Sequence, residues 1–189
     1  MDENSMIGDA KADVEVAFSR SITISARSVS ISAPIKTGQD QVEMIEEFER
    51  VATAAAEQML AKHREHGGLE MSPREAVALS YSYGEAPRLT IEPSPKAIRS
   101  LCGINEKSSP LRAAEAAFKL AGQKLPGFTK LGLMIMGKLA SPESQQQVAS
   151  GIQSDIIAPM ARKKLMEALA VAVIEEHGRY FAESSRPRA

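Results

Sequence analysis

His63 and His66 are the first residues whose type and spacing suggest chemistry, because two imidazoles three positions apart share one face of a helix. With Glu65 and Glu70 nearby, such a pair offers two ligands to a metal ion. A zinc site needs three or four ligands, and the remaining histidine of the chain, His177, is remote in sequence. We therefore predict no metal site and place both histidines at the end of a helix, where the dipole favours positive charge.

Cys102 is the second candidate, as the one cysteine of the chain. A nucleophilic thiol needs a neighbouring base that lowers its pKa, and no such residue is near in sequence. A partly buried, unreactive thiol is therefore the preferred interpretation. A single cysteine also excludes a disulfide within the chain and is typical of a reducing compartment.

Carboxylates cluster in one short run, but they do not form a recognisable acid–base pair. The run is Glu43, Glu46, Glu47 and Glu49, which is typical of the solvated face of a helix. A catalytic pair requires surroundings that separate the two pKa values, and spacing alone does not provide them. The sequence also lacks a Gly-x-Ser-x-Gly elbow, a phosphate-binding loop and a dinucleotide fingerprint. We therefore predict a protein that is not an enzyme and that binds no cofactor.

Positive charge is concentrated in residues 96–138, which contain eight Lys or Arg against two Glu. Residues 1–68 are acidic by contrast, with seven basic and twelve acidic side chains. The basic segment and the serine-, threonine- and arginine-rich face of a hairpin predicted over residues 14–35 support one hypothesis, contact with the phosphates of DNA or RNA. The candidate nucleic-acid-binding residues are Arg20, Arg27, Lys107, Arg112, Lys119, Lys124, Lys130 and Lys138.

Two observations weigh against nucleic-acid binding. Single-strand binders stack bases on aromatic rings, and aromatic residues are scarce here, with Tyr81 and Tyr83 as the one close pair of tyrosines. The sequence contains no helix-turn-helix, zinc-finger or RNA-binding-sheet signature. Arg112 and Lys119 are placed on one face of a predicted helix, but Glu115 lies between them. The alternative is that the lysines only keep the protein soluble.

A second hypothesis, binding of a protein partner, rests on the apolar stretch at residues 127–139. A helix without a polar side is either buried or faces a partner, and of the two we expect burial. Methionine adapts to varied partner surfaces, which favours binding if the segment is exposed. The candidate protein-binding residues are Leu133, Met134, Ile135 and Met136. We rank a protein-binding adaptor or homo-oligomer ahead of a nucleic-acid-binding protein.

Residues 14–35 carry the clearest structural pattern, because apolar and polar side chains alternate along them. The alternation begins at Val14, and its phase changes near Arg27. Two alternating runs with a short break between them are typical of an antiparallel hairpin. The polar face is almost entirely serine, threonine and arginine. Arg20 falls on the apolar phase, which predicts a bulge or a break in the strand.

A long helix is predicted over residues 40–66. Asp40 is placed to cap it, with Glu43 three residues later, and Gly67 follows its end. Apolar residues recur at helical spacing through this segment, which predicts a helix with one apolar face. We expect that face to cover the hairpin, since a lone two-stranded ribbon is marginally stable in water.

Four Ser–Pro pairs each predict a helix start, with serine as the cap and proline in the first turn. The helices predicted from them cover residues 73–80, 95–101, 110–122 and 142–153. Residues 127–139 form a further helix, and residues 88–92 form a short strand that can join the sheet. A final helix runs from residue 158 to about residue 181, and we expect it to be central to the helical part.

The predicted fold class is α+β: an N-terminal β-hairpin or small antiparallel sheet covered by an amphipathic helix and followed by a helical bundle. Residues 1–13 are predicted to be a disordered N-terminus, 14–68 the hairpin-and-helix module, 69–182 a mainly helical region packed on it, and 183–189 a disordered tail. The sequence shows no secretory signal and no apolar run long enough to span a membrane. We therefore expect a cytoplasmic protein that does not bind membranes.

Overall fold

The computed structural model describes residues 20–35, 38, 40–64, 69–103 and 107–184. The predicted disordered N-terminus, the start of the predicted hairpin strand and His66 lie outside the described residues. No helix within these ranges is both long enough and apolar enough to cross a membrane.

Within the described ranges, four antiparallel strands form one sheet, which confirms the α+β prediction. They are β1 (Ser21–Ile24), β2 (Val29–Ser32), β3 (Val77–Ser82) and β4 (Arg88–Pro93). Their order in the sheet is β1-β2-β4-β3, so the N-terminal hairpin pairs with the later strands through β2 and β4. Both the predicted hairpin and the predicted strand at residues 88–92 are therefore confirmed.

The sheet has one apolar and one hydroxyl-rich face, as the alternation predicts. Val29 and Ile31 of β2 are fully buried. On the other face the hydroxyl of Ser30 lies 3.0 Å from that of Thr90, in the neighbouring strand β4. The hydroxyls of Ser21 and Ser32 pair in the same way at 2.9 Å. Such cross-strand pairs help to fix the register of a sheet whose polar side carries small residues.

Helix α1 (Gln41–Arg64) follows the hairpin. Asp40 caps it as predicted, because its Oδ1 atom accepts a hydrogen bond from the Val42 amide at 2.9 Å. Met44, Phe48 and Met59 on one side of the helix are buried. This side packs along the last helix and also contacts β4, so α1 covers the sheet.

The predicted helix over residues 73–80 is wrong in its second half. Helix α2 (Pro73–Ala76) has a single turn, and β3 follows it without a break. The segment after Ala76 extends because it pairs with β4, in a register that places Leu79 opposite Ile91. Tyr81 on this edge strand donates a 2.6 Å hydrogen bond to Glu49 of α1, which raises the pKa of Tyr81 to about 12.

The described residues after β4 form helices and the loops between them. Its elements are α3 (Pro95–Cys102), α4 (Pro110–Leu120), α5 (Gly127–Leu139), α6 (Pro142–Ile152), a π-helical turn (Gln153–Ile157) and α7 (Ala158–Ser184). All four Ser–Pro pairs stand at helix starts, as predicted. The best-buried cap is Ser94, whose hydroxyl accepts from the Ala97 amide and donates to the Glu75 carbonyl, joining α3 to α2.

The core lies between the sheet, α1 and α7. Helix α7 packs along α1 and contacts both β2 and β4, which confirms its predicted central position. The largest fully buried side chains are Phe48, Ile31, Met44, Met59, Leu60, Leu69, Leu89, Ile91, Ile157, Leu165, Leu169 and Val29. Because tryptophan is absent and only one of these side chains is aromatic, aliphatic and methionine side chains fill most of this core.

Candidate protein-binding surface

Among the described helices, α5 is the one that lies outside the core. None of its residues is buried. Phe128 and Leu139 are each 81% exposed, and Leu131 and Ile135 are about half exposed. These four residues follow one another at intervals of three, four and four, so they line one side of the helix. We call them the α5 apolar stripe.

The expected burial of residues 127–139 is therefore wrong. Helix α5 packs mainly against α4, and much of its attachment is polar. Lys130 forms an ion pair with Glu115 of α4 at 3.2 Å. Gln145 of α6 donates hydrogen bonds of 3.0 Å to the carbonyls of Gly137 and Ala140. These contacts hold the inner side of α5 and leave the opposite side to solvent.

The four predicted protein-binding residues are divided between the two sides of α5. Met134 and Ile135 are exposed, whereas Leu133 and Met136 are half-buried on the inner side. Sequence reasoning missed the other members of the stripe, which are Phe128, Leu131 and Leu139. Their spacing of three and four residues is the signal that could have identified them, because residues at that spacing share one side of a helix. A run of consecutive residues, such as 133–136, includes both sides.

Cations lie on and around α4 and α5. Arg112, Lys119, Lys124 and Lys138 are all exposed, and none of the four forms an ion pair within the part of the chain that the structure describes. Arg112 and Lys119 flank Glu115 on the outer side of α4, as the sequence predicts. Lys130 differs from these four because it pairs with Glu115. Lys107, also predicted to bind nucleic acid, is exposed before α4.

The two arginines of the hairpin have different surroundings. Arg27 is exposed at the hairpin turn. Arg20 precedes β1 and contacts Glu47 of α1 at 3.0 Å, while its guanidinium carbon lies 3.4 Å from the centre of the Phe181 ring. Burial lowers the pKa of Arg20, and the Glu47 carboxylate opposes that shift. Arg20 thus joins the start of the sheet to both long helices.

Other residues with possible chemistry lie apart from the α5 apolar stripe. Cys102 is buried at the end of α3, and this burial raises the pKa of its thiol. His177 on α7 is half-buried beside Phe181, and burial followed by the charge of Arg20 lowers its pKa. Among the described residues, no group of three or more His, Cys, Asp or Glu side chains is arranged to hold a metal ion.

Comparisons of the chain with models of known protein families, with curated proteins and with solved structures find no match. Function is therefore inferred from the surface of the chain itself.

Proposed function

We propose that this protein acts by binding rather than by catalysis, and that the α5 apolar stripe is the contact surface for an apolar, acidic helix of a partner protein. The observation that carries the proposal is that α5 has no buried residue although most of its side chains are apolar. Single exposed apolar residues are ordinary on a protein surface, whereas a contiguous patch of them marks an interaction site.

A helix is the partner element that fits the stripe best. The intervals between Phe128, Leu131, Ile135 and Leu139 approximate the heptad spacing by which two helices pack side by side. The 13 residues of α5 make a surface roughly 20 Å long, which accommodates three to four turns of a partner helix. Apolar anchors on the partner would lie between those of the stripe.

The charge around the stripe favours an acidic partner. Lys138 is on the stripe's own helix, Lys124 is in the loop that leads into that helix, and both are exposed. Arg112 and Lys119 add positive charge on the neighbouring helix α4. A second copy of α5 would bring like charges together across the contact, whereas glutamates or aspartates beside the partner's apolar residues would pair with them.

Site-specific photo-crosslinking tests this proposal. A benzoylphenylalanine placed at Phe128 or Leu139 is expected to crosslink one protein in extracts of the source cells. The crosslinked peptide is expected to be an apolar, acidic helix. The control positions are Val171 and Ile174, which are half exposed on α7 and lie outside the stripe. Equal crosslinking at the control positions, no crosslinking at all, or crosslinks only between copies of the chain would each contradict the proposal.

Nucleic-acid binding is the second candidate, favoured by the four exposed cations on and around α4 and α5 that have no ion pair within the described ranges. If these cations contact phosphates, replacing Arg112 and Lys119 by glutamate is expected to weaken retention on DNA or RNA. The slope of log affinity against log salt should also fall by roughly two, about 0.9 for each phosphate that is no longer neutralised. The matched control reverses the exposed Arg88 and Arg99. Equal weakening in both double variants would show only the effect of net charge.

A further inference from the structure

A groove separates the hairpin turn from the first half of α7. It has a volume of about 680 Å³, which lies within the range of roughly 300–1,000 Å³ that is usual for small-molecule sites. Ile24 and Ala26 form one wall, and Pro159 and Ala170 of α7 line the other. Met166, which is almost completely buried, lines the groove between these α7 residues. The groove is therefore mainly apolar inside.

The charged residues that line the groove are mostly positive. They are Arg27 on the hairpin turn, Arg162 and Lys163 on α7, and one acid, Glu167. The Nζ atom of Lys163 lies 3.9 Å from Oε1 of Glu167, and both side chains are well exposed, so their mutual attraction is weak. Three cations facing one carboxylate leave a net positive field over an apolar floor.

Both sides of the groove have defined backbone conformations. On the hairpin side, the Ser25 hydroxyl accepts hydrogen bonds from the amides of Arg27 at 3.2 Å and Ser28 at 3.0 Å. This fixes the turn that presents the Arg27 side chain. On the other side, Ser154 belongs to the π-helical turn that precedes α7. Single π-helical turns within a longer helix often coincide with functional sites, because they re-aim the residues beside them.

We infer that this groove binds a small organic anion that has an apolar body, such as an alkyl or aryl phosphate or carboxylate. The apolar floor excludes a purely inorganic ion as the preferred ligand, since such an ion would leave that surface unused. The excess of cations excludes a cationic amphiphile. Arg27 and Arg162 come from opposite sides of the groove, so the anionic group is placed between them and the apolar body over Met166.

Titration with octyl phosphate, below the concentration at which it forms micelles, tests the inference. In amide-resolved NMR spectra of the ¹⁵N-labelled protein, the resonances that shift should belong to residues 24–27, 154 and 158–170. Octyltrimethylammonium and inorganic phosphate are expected to bind at least about tenfold more weakly. Vesicles of phosphatidylcholine and phosphatidate should not retain the protein. No saturable binding of octyl phosphate, or equal binding of octyltrimethylammonium, would overturn the inference, and retention on the vesicles would overturn the assignment to a free anion.

Variants of the charged residues that line the groove test the same inference. Reversing both Arg27 and Arg162 to glutamate is expected to weaken octyl phosphate binding by about tenfold or more, and Glu167→Gln should strengthen it by about twofold to threefold. The matched control reverses Arg88 and Lys164, which are exposed but do not line the groove. An equal loss in the control would overturn the site. The groove shares no residue with the α5 apolar stripe, so this outcome is independent of the proposed protein-binding function.

Discussion

Replacing Phe48 by alanine is expected to lower the free energy of unfolding by about 3–5 kcal/mol, the usual loss for a fully buried phenylalanine. Phe48 is the largest fully buried side chain of the core and lies on α1, the helix that packs against both α7 and the sheet. The next two turns on this side of α1 carry Val51, Ala52 and Ala55, which are small and cannot fill the vacated space. A cavity therefore persists at the point where three elements meet.

Urea denaturation followed by circular dichroism measures this loss. Val42→Ala on the same helix is the control, because Val42 is 57% exposed and its truncation should change the stability by no more than about 0.5 kcal/mol. Globular domains are commonly stable by about 5–15 kcal/mol, so the Phe48 variant should have a clearly lower urea midpoint. A loss below about 1 kcal/mol would mean that α1 does not pack on the core as described.

The helix starts were predictable because their determinants are local. A serine that accepts a hydrogen bond from the third residue after it, followed by proline, specifies a helix start without help from the rest of the fold. Ser94, Ser109 and Ser141 each make this bond. Strand β3 was not predictable in the same way. Its extended conformation depends on pairing with β4, a later strand that also pairs with β2.

Arg20 shows which features a local sequence pattern can predict and which it cannot. Arg20 falls on the apolar phase of the alternation, and β1 begins directly after it, at Ser21. The predicted bulge or break stays a prediction, because the residues before Arg20 lie outside the described ranges. The contacts of the Arg20 side chain, by contrast, were not visible in the sequence. The guanidinium contacts Glu47 and the ring of Phe181, and the second of these is separated from Arg20 by nearly the whole chain. Contacts across such a distance in sequence are set by the tertiary fold.

The exposure of α5 could not be read from its composition. A helix that is apolar on every side fits the interior of a protein and a partner's surface equally well. The deciding fact is that α1 and α7 already cover the apolar face of the sheet, so α5 packs mainly against α4, away from the sheet. Composition identified the segment, and the arrangement of the other helices determined which of its sides faces solvent.

Replacing Leu131 and Ile135 together by glutamate is expected to weaken binding of the partner by about 100-fold or more. Burying one such side chain against a partner contributes about 1.5–3 kcal/mol, and each factor of ten in affinity corresponds to about 1.4 kcal/mol. The new carboxylates would also repel the acidic helix that Lys124 and Lys138 favour. Titration calorimetry with the protein identified by crosslinking measures the change.

The same variant should fold as well as the original chain. Leu131 and Ile135 are not buried, and glutamate forms helices readily, so the free energy of unfolding should change by less than about 1 kcal/mol. The control pair, Val171→Glu with Ile174→Glu, adds the same charge at half-exposed positions of α7 and should leave the affinity unchanged. If the α5 variant instead unfolds, the stripe stabilises the fold. If it stays folded and keeps its affinity, the partner binds elsewhere. Only a folded variant that no longer binds its partner is consistent with a helix whose apolar side is the contact surface for another protein.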